Sequence, residues 1–177
     1  MLPFVRGELP LIVHANDVRQ IKAALAWADQ RKYKIAIAGG RDAWRVTGEL
    51  AARKVPVIFE STFDQPARDT DAYDAQFKGA ATLHKAGVKV LFSEGSGASN
   101  ATFARNTPYS AAQAVAFGLP EAEALRGLTL YPAQVLGLDA QLGSLEAAKD
   151  ATFFASDGHI LDIRANVKRM WIAGREV

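Results

Sequence analysis

The chain has 177 residues, 49% of them hydrophobic and 23% charged, so it can bury a sizeable core and is too apolar for disorder. Its net charge of +2 comes from interspersed acids and bases, without the basic cluster and interleaved aromatics that a nucleic-acid partner requires. With no cysteine it has no disulfide, thiolate metal site or cysteine nucleophile. A cytoplasmic, non-membrane protein fits this composition: "MLPFVRGELP" lacks the basic start and apolar run of a signal peptide, and no apolar run reaches the roughly 18 residues of a membrane span.

Short apolar runs alternate with helix-length amphipathic segments. "LPLIVHA" reads as a strand leading into "NDVRQIKAALAWADQRKY", where Val18, Ile21, Leu25 and Ala28 share a helical face and Asp17 with Gln20 can form a capping box. "KIAIAGG" is a second strand, and "RDAWRVTGELAARK" a helix with Ala43, Val46 and Leu50 aligned. "VPVIFES" is a third strand; after a Pro-containing loop, "DAYDAQFKGAATLHKAG" is a helix presenting Tyr73, Phe77 and Ala80. "VKVLFSEG" is the fourth strand. The first three strands recur at roughly 20–25 residues and the fourth after roughly 30, the spacing of consecutive βα units. Strands apolar on both faces fit a parallel sheet covered by helices.

Beyond the fourth strand, "SGASNATFARNTPYS" reads as a long polar loop. "SAAQAVAFG" and "PEAEALRGLTLYPAQVLG" read as helices closed by Gly118 and Gly137. The segments "LGSLEAAKDATFFASDGHILDI" and "VKRMWIAGREV" read as two or three short strands. Residues 1–137 are expected to form the βα units and following helices, and 138–177 a β extension.

In parallel βα architectures chemistry sits at the C-terminal ends of the strands. Those positions are His14, Gly39–Gly40, Glu60–Ser61 and Ser93–Glu94. His14 is either a metal ligand through a ring nitrogen or a strand-end histidine bonded to backbone. Glu60 either lines the site or forms a salt bridge. The turn at Gly39, Gly40 and Asp42 offers free N–H groups to an anion, or is a tight turn with Asp42 as helix N-cap. "GSGASN" lacks the Gly-Lys-Ser/Thr ending of a phosphate loop, and no Gly-x-Ser-x-Gly elbow is present. His84, near a helix end, and His159, in a turn, are poor ligand candidates.

The segments "RGELPLIVHAND", "IAIAGGRDAW", "AGVKVLFSEG", "LTLYPAQVLGLDAQLGSLEAAKDATFFASDG" and "VKRMWIAGREV" together resemble the C-terminal half of the amidohydrolase superfamily, imidazolonepropionase-like members above all. The resemblance implies an α/β fold, four parallel βα units equivalent to half a TIM (β/α)8 barrel, followed by helices and a short β extension. It implies hydrolysis of non-peptide carbon–nitrogen bonds, cyclic amides among them, by metal-activated water, with zinc the expected divalent ion. His14 stands at the family's strand-five metal histidine. The strand-six histidine is replaced by Gly39 or Gly40, and the strand-eight aspartate by Ser93 or Glu94. Glu94 is the candidate catalytic acid–base group, while Arg105, Glu60 and Gly40 are candidate substrate contacts, Arg105 reaching over the mouth. One His and one Glu fall short of the three protein ligands usual in catalytic zinc sites. The expected partners are therefore a small-molecule substrate together with a second copy of the chain or a complementing N-terminal half-barrel chain. The alternative reading is a non-catalytic half-barrel used for binding or assembly.

Overall fold

A computed structural model describes residues 2–177. After a helical turn, α1 (Leu2–Val5), four strands form one sheet: β1 (Leu11–Ala15), β2 (Ile35–Gly39), β3 (Val57–Phe59) and β4 (Val90–Phe92). All neighbours are parallel and the spatial order is the chain order, β1-β2-β3-β4. This is the half-barrel expected from the sequence. The connecting helices are α2 (Val18–Arg31), α3 (Thr47–Ala52) and α4 (Gly79–Lys85).

Alternation along the strands divides their side chains between two faces. Ile35, Ile37, Val57, Phe59, Val90 and Phe92 pack against Ile21, Leu25, Leu50, Leu83, Ala111 and Ala114 of the helices in the main core. Burying each of the larger side chains contributes about 1.5–3 kcal/mol. On the opposite face, register aligns Ile12 with Ala36, and His14 with Ala38, Ile58 and Leu91. Ala36 and Leu91 are covered by Val135 and Tyr131 of α7 (Leu130–Leu136), whereas Ile12 on the outermost strand is 55% exposed. Helix α7 lies near the N-terminal ends of the strands. Its Gln134 accepts a hydrogen bond from Lys89 at 2.7 Å, and a Cβ on Gly137 would lie 2.8 Å from Leu9. The inner face is thus closed below and open above, where the strands end.

The capping box starts α2 as the sequence indicates. Asp17 Oδ1 accepts from the N–H groups of Arg19 and Gln20, and Gln20 Oε1 accepts from that of Asp17. Other elements depart from expectation. The helix after β2 is split into a 3₁₀ turn (Ala43–Arg45) and α3, although Ala43, Val46 and Leu50 are all buried as their spacing indicates. The helix before β4 begins only at Gly79, leaving Tyr73 exposed in the loop. The polar segment after β4 is a 3₁₀ stretch (Ala98–Asn106) leading into α5 (Thr107–Ala116). The next helix is broken at Thr129 into α6 (Glu121–Leu128) and α7. Gly137 caps α7 in the left-handed conformation, which a glycine adopts without strain.

The C-terminal strands β5 (Phe153–Ser156), β6 (Val167–Ile172) and β7 (Arg175–Glu176) form an antiparallel sheet. Phe153 stacks on Trp171, yet Phe154, Met170 and Ile172 stay exposed. Leu161 packs on the main core and His159 pairs with Glu121 of α6 at 3.1 Å, joining this region to the half-barrel.

Candidate active site

Four loops leave the C-terminal ends of the strands, and all four bring polar or charged residues to one cavity of about 420 Å³. Its lining includes Asn16 after β1, Arg41 after β2, Glu60 and Asp64 after β3, and Glu94 and Asn100 after β4. Ser110 of α5 closes one side. Charged and polar groups converge here because parallel strands with same-side crossovers deliver every βα turn to the same end.

His14 Nε2 lies 3.0 Å from Glu60 Oε2. An ionised carboxylate only accepts, so this bond places the proton on Nε2. Glu60 therefore lines the cavity and hydrogen-bonds His14 at once. The Glu94 carboxylate is held differently: Ser110 Oγ donates to its Oε1 at 2.7 Å, while Asn100 Nδ2 donates to the Glu94 backbone carbonyl. Ser110 is 4% exposed, so its hydroxyl is fixed by packing as well as by this bond. The second oxygen, Glu94 Oε2, takes no hydrogen bond from the described residues. A Cβ on Gly95, whose φ is +97°, would lie 3.7 Å from Glu60 Oε2, so the β3 and β4 loops meet here.

The β2 turn is not the anion site considered from the sequence. The Gly40 N–H donates to the Ala15 carbonyl at 2.9 Å and the Asp42 N–H to the Asn16 carbonyl at 2.8 Å, so neither is free. Gly40 is buried, and a Cβ there would lie 2.7 Å from Val57. Gly39 faces Asn16: its φ is +87°, and a Cβ would come within 3.0 Å of Asn16 Cγ. The space for a side chain at this strand end is taken by the Asn16 amide, whose Oδ1 accepts from the Arg41 N–H at 3.4 Å.

Asp42 does not cap the following turn either. It is 1% exposed and accepts two hydrogen bonds from Arg68, at 2.9 and 2.6 Å, and one from the Val18 N–H at 3.4 Å. The Arg68 hydrogen bonds hold its carboxyl below the usual value of 3.8, against the opposing effect of burial; attraction to Arg68, the Val18 N–H and Arg45 reinforce them. With Arg45 paired to Asp71, and Arg41 Nη2 donating to the Gln65 carbonyl at 3.1 Å, this network pins the loop between β3 and α4. That loop carries Ser61, Phe63 and Asp64 into the cavity wall.

Arg105 lies on the exposed 3₁₀ stretch, and the arginine that lines the cavity is instead Arg41. His84 pairs with Glu123 at 3.6 Å and His159 with Glu121, both away from the cavity. Asn16, Arg41, Asn100 and Ser110 escape a reading of strand ends alone. Arg41 directly follows the Gly39–Gly40 pair and was within reach of that rule. Ser110 lies 16 residues beyond Glu94 and carries no local signal.

The donors among the described residues do not make a metal centre. His14 Nε2 is committed to Glu60, and Glu94 Oε1 to Ser110. Among the described residues no three His, Cys, Asp or Glu side chains are placed to hold an ion. No helix of the described residues is long and apolar enough to cross a membrane.

No curated protein matches the chain. Among solved structures, an amidohydrolase from Thermotoga maritima MSB8 is 29% identical and superposes with a TM-score of 0.81 over 99% of this chain and 45% of its own. An adenosine deaminase from Xanthomonas campestris with bound zinc (22% identity, TM-score 0.66) and a Xaa-Pro dipeptidase with methionine in its active site (17%, 0.73) share the fold; each covers 96% of this chain and 45% of its own. The chain thus spans less than half the length of these relatives. The amidohydrolase family model matches residues 12–177, and the chain belongs to the amidohydrolase family.

Proposed function

We propose that this chain is the C-terminal part of a hydrolase that cleaves non-peptide carbon–nitrogen bonds, cyclic amides of the imidazolonepropionase type among them. The observation that carries the reading is the Glu94 carboxylate: it stands at the catalytic end of the sheet, one oxygen fixed by Ser110 and the other free in the cavity. A carboxylate so held can take a proton from an attacking water at Oε2 and return it to the leaving nitrogen, the work of a general acid–base group. The His14–Glu60 pair, across the same mouth, holds a proton at Nε2. Zinc chemistry, as in the zinc-bound relative, requires donors beyond His14 that this chain does not bring together, and no step is assigned to a metal here.

Those donors are expected from a complementing N-terminal half-barrel or a second copy. Ile12 on the inner face, and Phe154, Met170 and Ile172 on the small sheet, are exposed apolar side chains, and the outer strands β1 and β4 each lack a strand neighbour on one side. Open strand edges and apolar patches of this kind drive association. Light scattering is expected to show a dimer or larger assembly; a monomer with one cooperative unfolding transition refutes this.

Turnover of a panel of lactams, cyclic ureides and N-acyl amino acids, measured by ring opening or amine release, tests the hydrolase reading. Activity lost in Glu94→Gln supports it; no turnover by the chain together with its complementing half, or turnover indifferent to Glu94, refutes it. A second reading, a non-catalytic half-barrel used for binding or assembly, is favoured by Gly39, whose side-chain space Asn16 occupies.

A further inference from the structure

We propose that residues 61–78 form a strap over one side of the mouth that swings open and is latched shut by the Asp42–Arg68 ion pair. The motion rests on the contacts of the strap itself; that it admits a substrate rests on the hydrolase reading.

The strap has a weak grip on the core. The buried residues between Phe59 of β3 and Gly79 of α4 are Ser61, Thr62 and Gln76, all polar. Phe63 and Tyr73 are exposed, and Phe77 is half-buried against Phe117. Its backbone hydrogen bonds are local: the N–H of Asp64 donates to Ser61, that of Asp71 to Arg68 and that of Ala75 to Ala72. Among the described residues none of its backbone groups pairs with the sheet. A stretch with few buried apolar contacts and no ladder bonds belongs to the low-stability end of a fold.

Buried groups without partners gather in the same place. Among the described residues, the enclosed side-chain atoms with no hydrogen bond include Thr62 Oγ1, Asp71 Oδ2 and both amide atoms of Gln76, all in the strap. The others are Arg41 Nε and Trp44 Nε1, in the β2 turn on which the strap lies. A buried polar group without a partner costs free energy that water restores, so these groups favour opening.

Three contacts with that turn oppose it. Arg68 donates to both oxygens of the buried Asp42, at 2.9 and 2.6 Å, Arg45 pairs with Asp71, and Arg41 Nη2 donates to the Gln65 carbonyl. All three fall between Gln65 and Asp71, so the strap is held at its middle. The two-pronged Asp42–Arg68 pair is the strongest in kind. Asp42 also accepts from the Val18 N–H, which ties the latch to the start of α2. The pair borders a second cavity of about 330 Å³, shared with Asn16, Gln20 and Ala67, and the Arg68 side chain is 44% exposed. Parting therefore rehydrates the charges instead of stranding them. Ser61, Phe63 and Asp64 belong both to the strap and to the cavity wall, so opening widens the mouth beside Glu60.

The chain has no cysteine, so spin labels attach only where cysteines are introduced. Pulsed electron–electron resonance between labels at Ala67→Cys on the strap and Ala23→Cys on α2 reads the closed and open populations. A second pair, Ala23→Cys with Lys85→Cys on α4, is the control. In the otherwise unsubstituted chain the shorter distance is expected to dominate. Asp42→Asn should lower the ratio of closed to open at least about tenfold, the scale of a lost charge-assisted hydrogen bond, with the control distance unchanged. Arg68→Lys, which keeps the charge but not the two-pronged geometry, should shift the ratio in the same direction by less. A single short distance in the parent and in every folded variant overturns the proposal. So does a control distance that broadens together with the strap, which means general loosening. Circular dichroism checks folding; if Asp42→Asn does not fold, Arg68→Lys and Asp71→Asn carry the same test. The readout needs no turnover, so it stands or falls separately from the hydrolase reading.

Discussion

Replacing Ser110 by alanine removes one hydroxyl and leaves Glu94 Oε1 facing a methyl group. The lost bond is short, 2.7 Å, and its acceptor is a carboxylate, a class worth about 1.5–3 kcal/mol when the group cannot find water. Ser110 is buried, but Glu94 is only half-buried and borders the cavity, so water can replace part of the interaction. The lower end of the range, about 1.5 kcal/mol, is therefore expected as the coupling between the two residues. Urea denaturation of the parent, Ser110→Ala, Glu94→Ala and the double variant closes the cycle. Because Glu94→Ala also removes the acceptor, the double variant should be less destabilised than the sum of the two single variants. Independent sites add to within about 0.3–0.5 kcal/mol, so additivity inside that margin refutes the lock between these side chains and with it the account of Glu94 as a pre-positioned group.

Asp42→Asn tests the network that holds the β3–α4 loop. Because the folded carboxyl lies below its usual 3.8, its contribution is fully present above that value and is lost as pH falls through the lowered one. The stability gap between parent and variant should be constant near neutrality and narrow in acid below 3.8, read by denaturation at stepped pH; a gap that widens in acid contradicts the assignment. Gly39→His should lower the thermal midpoint, because the left-handed backbone and the Asn16 amide both oppose a Cβ there. It should not create zinc uptake, and elemental analysis showing stoichiometric zinc in this variant contradicts that geometry. The unsubstituted chain on its own should likewise hold less than one zinc per chain, with His14→Ala unchanged; one equivalent lost in His14→Ala means that the His14–Glu60 pair opens to admit an ion.

What the sequence made legible follows from which forces are local. Strand and helix order were readable because apolar runs and capping signals lie within a few residues of the elements they define: Asp17 with Gln20 at the start of α2, Gly137 at the end of α7. The helix ends that went astray depend on distant neighbours. Tyr73 and Phe77 share a helical spacing with Ala80, yet the helix begins only at Gly79, where a Cβ would lie 2.7 Å from Phe59 of the strand beneath. The strand-end rule placed His14, Glu60 and Glu94 at one end of the sheet, because parallel connections fix which end a residue occupies without any knowledge of its contacts. It did not separate a free group from an engaged one. Gly40 reads as an open turn but its N–H is spent on Ala15, and Arg105 reads as a reaching arginine while Arg41 lines the cavity.

The same distinction decides between the two readings of the mouth. A half-barrel that merely kept its ancestral shape has no need to hold Glu94 from two directions, by a buried hydroxyl on a helix and by an amide on its own backbone carbonyl. Gly39 and Asn16 point the other way, since they fill the place of a further ligand with an internal contact. The two sets of observations are compatible if the acid–base part of the site resides in this half and the remaining ligands reside in the polypeptide that completes the barrel. Mixing the chain with such a half should then raise turnover, and Glu94→Gln should remove the gain without preventing assembly.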